Sequence, residues 1–278
     1  MDIPKECIKA DLIYKNTPER DLMLTFLPPI KQKYEKAPVY FIISGGGWHM
    51  MKRQDIIDFS IQSVEALRNR GFAVVSIDYR VCGEGVAMRE IITDCFDAAR
   101  YIAHFAQILE IDKEKFVLSG HSAGGHLALM LSYASQEIFK SDYEFSDVFK
   151  VISVAPMSPP IFLDDNSTHG LGDIVDVFDE ADMEEEMKST SPATYVSKDC
   201  PPTLLMAGTS DRLVYANSSE KLYKLLKDND VDCELILSVG GGHCFEQMHE
   251  TITPGVSMEQ MQNYIIDFIL KQVGGYKK

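Results

Sequence analysis

The chain has 278 residues, 45% of them hydrophobic, and a formal net charge of -15. That length is near the upper limit for one core, so a single domain is expected, and the apolar share excludes a disordered or fibrous chain. The acidic balance repels phosphate backbones and anionic lipid faces, which argues against nucleic acid and membrane surfaces as partners.

The first residues, Met1-Asp2-Ile3-Pro4-Lys5-Glu6, carry acids and lead into no apolar h-region, so neither a signal peptide nor a membrane span is expected. Cys7, Cys82, Cys95, Cys200, Cys233 and Cys244 are scattered without a C-x-x-C pair. They read as free thiols in a reducing, cytoplasmic compartment. Two runs, Cys7–Tyr14 and Asp21–Leu27, flank the turn-like Asn16-Thr17-Pro18-Glu19 and predict an antiparallel hairpin at a sheet edge. Short, nearly continuous apolar runs then recur at Pro38–Ser44, Phe72–Tyr79, Lys115–Gly120, Val151–Pro156, Thr203–Gly208 and Cys233–Val239. This is the pattern of parallel strands buried on both faces.

Helical patterns fall between them. Gln54–Arg70 stops at Gly71, a C′ glycine, and Ile91, Cys95, Ala98, Ile102 and Phe105 form one apolar stripe. His126–Gln136, Ser218–Asp228 and Glu259–Gln272 read likewise. Strands alternating with helices predict an α/β fold with a mostly parallel, doubly wound central sheet flanked by helices. From Ser158 to Ser191 strand character is lost and acids accumulate, including Asp173, Asp176, Asp179, Glu180 and Asp182. This is expected to be a cap-like insertion, either a binding lid or a solvated surface excursion.

The strongest chemical signal is Gly120-His121-Ser122-Ala123-Gly124, a G-x-S-x-G set between a predicted strand and a predicted helix. A sharp strand–turn–helix elbow needs small neighbours, and it projects the Ser122 hydroxyl at a helix N-terminus, where developing negative charge is favoured. Serine alone is a weak nucleophile and needs a base held by an acid. Asp211 follows the strand Thr203–Gly208, and His243 follows the strand Cys233–Val239 behind three glycines. Both stand beyond carboxyl ends of strands, where ligands gather in open α/β sheets. The remaining histidines are weaker candidates for the base. His49 precedes the serine in the chain, His104 lies in a helix interior, and His121 and His126 are too local to aim back at Ser122. His169 is in the acidic insertion, and no strand end positions His249.

Ser44-Gly45-Gly46-Gly47-Trp48-His49, directly after a strand, is the second signal. Glycines let main-chain amides turn toward a tetrahedral oxyanion, so the amides of Gly46, Gly47 and Ala123 form the predicted oxyanion hole. Trp48 has two readings, as a tentative wall of the substrate pocket or as a core residue. Asp78-Tyr79-Arg80 is expected to brace neighbouring loops. The run from His243 to His249 is not H-E-x-x-H, and no metal site is expected there.

Together with Ser191-Pro192, Pro201-Pro202-Thr203 and Gly208-x-x-Asp211, these motifs resemble the esterase/lipase branch of the α/β-hydrolases. The resemblance runs from about residue 20 to 272 and is greatest to small bacterial carbohydrate acetyl esterases, the acetyl-xylan esterase or sugar hydrolase type. It implies ester hydrolysis without metal or cofactor, with Ser122, Asp211 and His243 as triad. It also implies a small-molecule or oligosaccharide ester carrying a short acyl group, acetyl above all. Where the family motif opens with His, this chain has Ser44. Two other readings stand beside this one: an arylformamidase-type amide hydrolase, and a catalytically silent ligand-binding protein on the same fold.

Overall fold

The computed structural model describes residues 9–50, 52–82, 85–141, 143–170, 178 and 183–274. In chain order its elements are β1 (Ala10–Asn16), β2 (Asp21–Leu27), β3 (Ala37–Ile43), α1 (Arg53–Phe59), α2 (Ile61–Asn69), β4 (Ala73–Ile77), α3 (Met88–His104) and β5 (Ile111–His121). There follow α4 (Ala123–Tyr133), β6 (Val151–Met157), α5 (Met183–Ser189), a 3-10 turn at Pro192–Tyr195, β7 (Thr203–Gly208), α6 (Ala216–Asp228), β8 (Cys233–Ser238) and α7 (Met258–Val273).

All eight strands join one sheet in the order β1-β2-β4-β3-β5-β6-β7-β8. β1 pairs antiparallel with β2 and β2 antiparallel with β4, while every pair from β4 to β8 is parallel. This is the α/β-hydrolase sheet with an N-terminal antiparallel hairpin at its edge. Residues 7 and 8, the start of the expected first run, lie outside the described residues.

β3, β4 and β7 are buried along their whole length because helices cover both faces. Leu67 of α2 and Ile265 and Ile269 of α7 pack with Tyr40, Val74 and Leu204 on one face. Ile91 and Ala98 of α3, Leu127 of α4 and Leu222 of α6 pack with Phe41, Val75 and Leu205 on the other. Two layers of helix therefore remove the sheet from water, and each fully buried large aliphatic side chain contributes about 1.5–3 kcal/mol.

Three expectations need correction. β8 is not buried on both faces, since it closes the sheet and leaves Glu234 exposed and Leu235, Ile236 and Leu237 half-buried. The helix expected over Gln54–Arg70 is two helices parted at Ser60, whose φ and ψ are -104° and 20°. There the Ser63 hydroxyl donates to the Ser60 carbonyl (2.9 Å), a side-chain competitor of the kind that bends helices. The fourth helix begins at Ala123, three residues before the expected His126, because the chain enters it straight from the elbow. Of the acidic insertion, residues 171–177 and 179–182 lie outside the described residues, Asp173, Asp176, Asp179, Glu180 and Asp182 among them. Its described part buries Ile161 and Leu163 and re-enters through α5. Among the described residues, no helix is long and apolar enough to cross a membrane.

Candidate active site

β5 is followed without a loop by α4, and the single residue between them, Ser122, holds φ 55° and ψ -124°. Non-glycine residues rarely adopt such a backbone, and it costs of order 1–3 kcal/mol unless the surroundings impose it. Here they do. A Cβ on Gly124 would stand 2.0 Å from the Ile43 carbonyl oxygen, and one on Gly120 would stand 2.4 Å from that of Gly124. Only glycines allow strand and helix to approach this closely. Ser122 is further pinned by its amide, which donates to the Met157 carbonyl at 2.9 Å.

Asp211 lies in the turn after β7, with its carboxylate buried. Its Oδ1 accepts from the amides of Leu213 (2.8 Å) and Val214 (3.0 Å), and its Oδ2 accepts from Nδ1 of His243 at 2.6 Å. The carboxylate therefore fixes the imidazole tautomer, with the proton on Nδ1 and Nε2 left as an acceptor. The histidine loop is stitched to the β7 end: Ser210 N donates to Gly241 O (2.9 Å), and a Cβ on Gly208 would stand 2.3 Å from Gly242 O. The carbonyl of His243 itself accepts from Ser158 Oγ (2.9 Å) and from His121 Nε2 (3.0 Å).

Ser122 and His243 line one cavity of about 720 Å³, together with Gly45, Gly46, Gly47, Phe59 and Leu213. Three residues far apart in sequence are thus gathered beyond the carboxyl ends of β5, β7 and β8. Gly46 and Gly47 have φ of 123° and 61°. Among the described residues, the amides of Gly46, Gly47 and Ala123 donate to no other group of the protein. The loop is held from outside the cavity, because Tyr79 Oη donates to Ser44 O at 2.8 Å. Ser44, standing where the family has His, thus serves through its main chain. Asp78 and Arg80 brace their surroundings as expected, the first on Arg53 (2.7 Å), the second on Asp94 (2.8 Å) and Glu90 (2.9 Å).

Trp48 does not wall the cavity. It is 1% exposed, and its indole Nε1 donates to Nδ1 of His126 at 3.3 Å, while Nε2 of His126 donates to Thr190 O at 2.8 Å. At φ 62° it turns inward from the glycine loop and anchors that loop in the core. Burial pushes the His126 imidazole down to about 4, which keeps it neutral as this double role requires.

Sequence reasoning left out several contributors. His121, too local to aim back at Ser122, reaches across to the His243 carbonyl instead. Burial first, and His243 second, lower its pKa to about 4. Arg20 and Lys52 line the cavity without any motif to announce them, and so does His49, at the end of the glycine run. The acidic insertion contributes a short strip at 168–170, in which Gly170 N donates to Leu213 O (2.8 Å) and Thr168 O accepts from Tyr215 N (3.0 Å). His169 forms a bridge there with Val214, three residues along the chain from Asp211. Among the described residues, no group of three or more His, Cys, Asp or Glu could hold a metal ion.

Comparison with solved structures agrees with this architecture. The propionate-bound esterase Est2 of Thermogutta terrifontis superposes with a TM-score of 0.80 at 21% identity, covering 99% of this chain and 98% of that one. A truncated carbohydrate esterase from gut microbiota gives a TM-score of 0.77 at 22% identity, over 97% of each chain. At these identities the likeness is one of fold. Among curated proteins, methylphloroacetophenone synthase of Cladonia uncialis is 31% identical over 135 residues, 46% of this chain but 5% of that much longer protein. The sequence profile of the BD-FAE family matches residues 25–226, most of the chain. The chain therefore belongs to the BD-FAE family, on an α/β-hydrolase fold.

Proposed function

We propose that the protein is a serine carboxylesterase that removes short acyl groups, acetyl above all, from a carbohydrate through an acyl-enzyme. One observation carries the reading: a strained serine at a strand–helix elbow shares a cavity with an imidazole whose Nδ1 is held 2.6 Å from a buried aspartate. A binding protein has no use for an acid–imidazole pair at that distance beside a serine held at the elbow.

The geometry supports the following steps. Nε2 of His243 takes the Ser122 proton as Oγ bonds to the ester carbonyl carbon, and the carbonyl oxygen takes up the electron pair. The amides of Gly46, Gly47 and Ala123 have no other partner among the described residues and are free to hold that oxyanion. The carbon–oxygen bond to the alcohol breaks, and the imidazolium returns its proton to the departing oxygen. Water then repeats the sequence on the acyl-enzyme and releases the carboxylic acid. Asp211 stabilises the imidazolium without itself taking the proton.

The short acyl preference is supported by the propionate and butyrate complexes of Est2, and the carbohydrate alcohol by the gut carbohydrate esterase. Est2 is also phosphorylated by paraoxon, which makes an organophosphate the natural probe. The test is a fluorophosphonate label located by peptide mass spectrometry, then rates on 4-nitrophenyl acetate, butyrate and octanoate and on acetylated xylo-oligosaccharides. Labelling at Ser122 and release of acetate from the oligosaccharides are expected. Labelling elsewhere removes the nucleophile assignment, and faster turnover of octanoate removes the short-acyl preference.

A further inference from the structure

The cavity that holds Ser122 does not end in neutral surface. At its outer side it is lined by Arg20 and Lys52, and the same two residues line a neighbouring hollow of about 280 Å³ together with Lys9, Arg53, Gln54 and Asp78. Four cations therefore line two adjoining hollows, the nearer of which holds the serine. The carboxylates lining them are two, Asp55 beside the cavity and Asp78 in the smaller hollow. Asp78 is already matched by Arg53 at 2.7 Å, and Arg53 and Lys9 also stand 3.5 and 3.7 Å from Asp11. Arg20 lies near Glu19 at the hairpin turn. Lys52 is different: exposed at the start of α1, it accepts from the Asp55 amide through its carbonyl (3.0 Å), but its ammonium makes no hydrogen bond or ion pair among the described residues. Among the described residues, no partner accounts for that ammonium.

With Lys9 and Arg53 matched by Asp11 and Asp78, the Lys52 ammonium beside Arg20 is the positive charge that the cavity mouth presents, on a chain whose net charge is -15. An anionic ester approaching such a protein is repelled everywhere except where positive groups are concentrated, and cations at the mouth of a cleft focus the field and raise the local concentration of substrate. A neutral ester gains nothing from the same charges. We propose that the natural substrate carries a carboxylate on its alcohol portion, as an acyl ester of an acidic sugar or another anionic alcohol does, and that Lys52 with Arg20 binds that carboxylate. The charge belongs to the alcohol because the acyl group is short in the esterase reading, on which this inference rests. Both cations act at the surface, so their pull is screened by salt on the scale of the Debye length, roughly 10 Å at 0.1 M.

Two esters of one shape separate the possibilities: 4-acetoxybenzoate, which is anionic, and its neutral methyl ester. The readout is the ratio of kcat/KM for the first over the second, which cancels effects common to both. In Lys52→Glu the ratio should fall by about tenfold or more at low ionic strength, and Lys52→Arg should restore most of it. In the unaltered protein the ratio should fall as sodium chloride is raised. A ratio that stays unchanged in Lys52→Glu, or that ignores salt, overturns the proposal. Arg20→Gln, on a different element, provides the second variant and should lower the ratio in the same direction. Hydrolysis of the neutral ester with an unmoved ratio removes this inference alone, whereas failure to hydrolyse either ester removes the esterase reading with it.

Discussion

His121 and His243 face one another with ring centroids 4.7 Å apart, and Nε2 of His121 donates to the main-chain carbonyl of His243 at 3.0 Å. A carbonyl only accepts, so Nε2 of His121 carries a proton, and burial, which lowers the pKa to about 4, keeps the ring neutral. The residue beside the nucleophile thus holds the backbone that carries the base. His121→Phe keeps the ring and removes the donor. It should lower kcat by about tenfold while KM for 4-nitrophenyl acetate changes little, because a 1 Å misplacement of a catalytic group costs up to about 100-fold. His121→Gln retains an amide donor and should recover part of the loss. Equal activity in the two variants would show that the ring merely fills space.

Asp211 supplies a sharper test of tautomer control. In Asp211→Asn the two amides of Leu213 and Val214 keep an oxygen in the Oδ1 position, so the new NH₂ must point at Nδ1 of His243. An NH₂ donor there requires Nδ1 to accept, which places the proton on Nε2 and leaves no acceptor for the serine. Turnover should drop by about 10⁴-fold with folding retained, since the loop keeps both amide bonds. Thermal unfolding and steady-state rates on one preparation check both halves of the statement.

Gly45 and Gly47 lie two residues apart and should respond oppositely. A Cβ on Gly45 would stand 2.6 Å from the His121 carbonyl oxygen and 3.2 Å from Ser122 Cβ, whereas one on Gly47 meets nothing within 4 Å. Gly45→Ala should wedge the oxyanion loop away from the elbow and cost about 100-fold or more in kcat, comparable to losing an oxyanion donor. Gly47→Ala pays only for its left-handed backbone, about 1–2 kcal/mol of stability, and should remain active. Comparable rates for the two alanines would contradict this placement of the loop.

Acid should destabilise the fold through its buried imidazoles. The pKa values of His121 and His126 are each depressed to about 4, so both stay neutral in the folded protein while the unfolded chain takes up protons near 6.5. Between pH 6.5 and 4 the unfolded state binds more protons, and stability falls as pH falls, by about 1.4 kcal/mol per pH unit for each fully depressed histidine. Above pH 6.5 the effect is absent. Urea titrations at pH 7, 6 and 5 measure it, and His126→Gln, which retains an amide able to face both Trp48 and Thr190, should flatten the slope.

The alternation of strand and helix, the hairpin and the strand-end positions of Ser122, Asp211 and His243 were legible because each follows from local rules: apolar runs of strand length, glycines where backbones meet, and loops after strands. The inward turn of Trp48 was not, since a tryptophan after a glycine run fits a pocket wall and a core anchor equally, and only His126 and Thr190 decide between them. The exposure of β8 depends on its being last in the sheet, a property of topology that a run of Leu and Ile cannot express. The supporting role of His121 was not legible, because its partner is a main-chain carbonyl 122 residues away. Lys52 and Arg20 come from different elements and converge only in three dimensions.

The strip at 168–170 sets a rule for anyone redesigning the acidic segment. Its ladder with Leu213 and Tyr215 makes the departing chain a splint on the turn that presents Asp211. Truncations or grafts that begin beyond residue 170 leave the splint in place, whereas a cut before residue 168 unfastens the carboxylate's own scaffold and should cost turnover even though no cavity residue is removed.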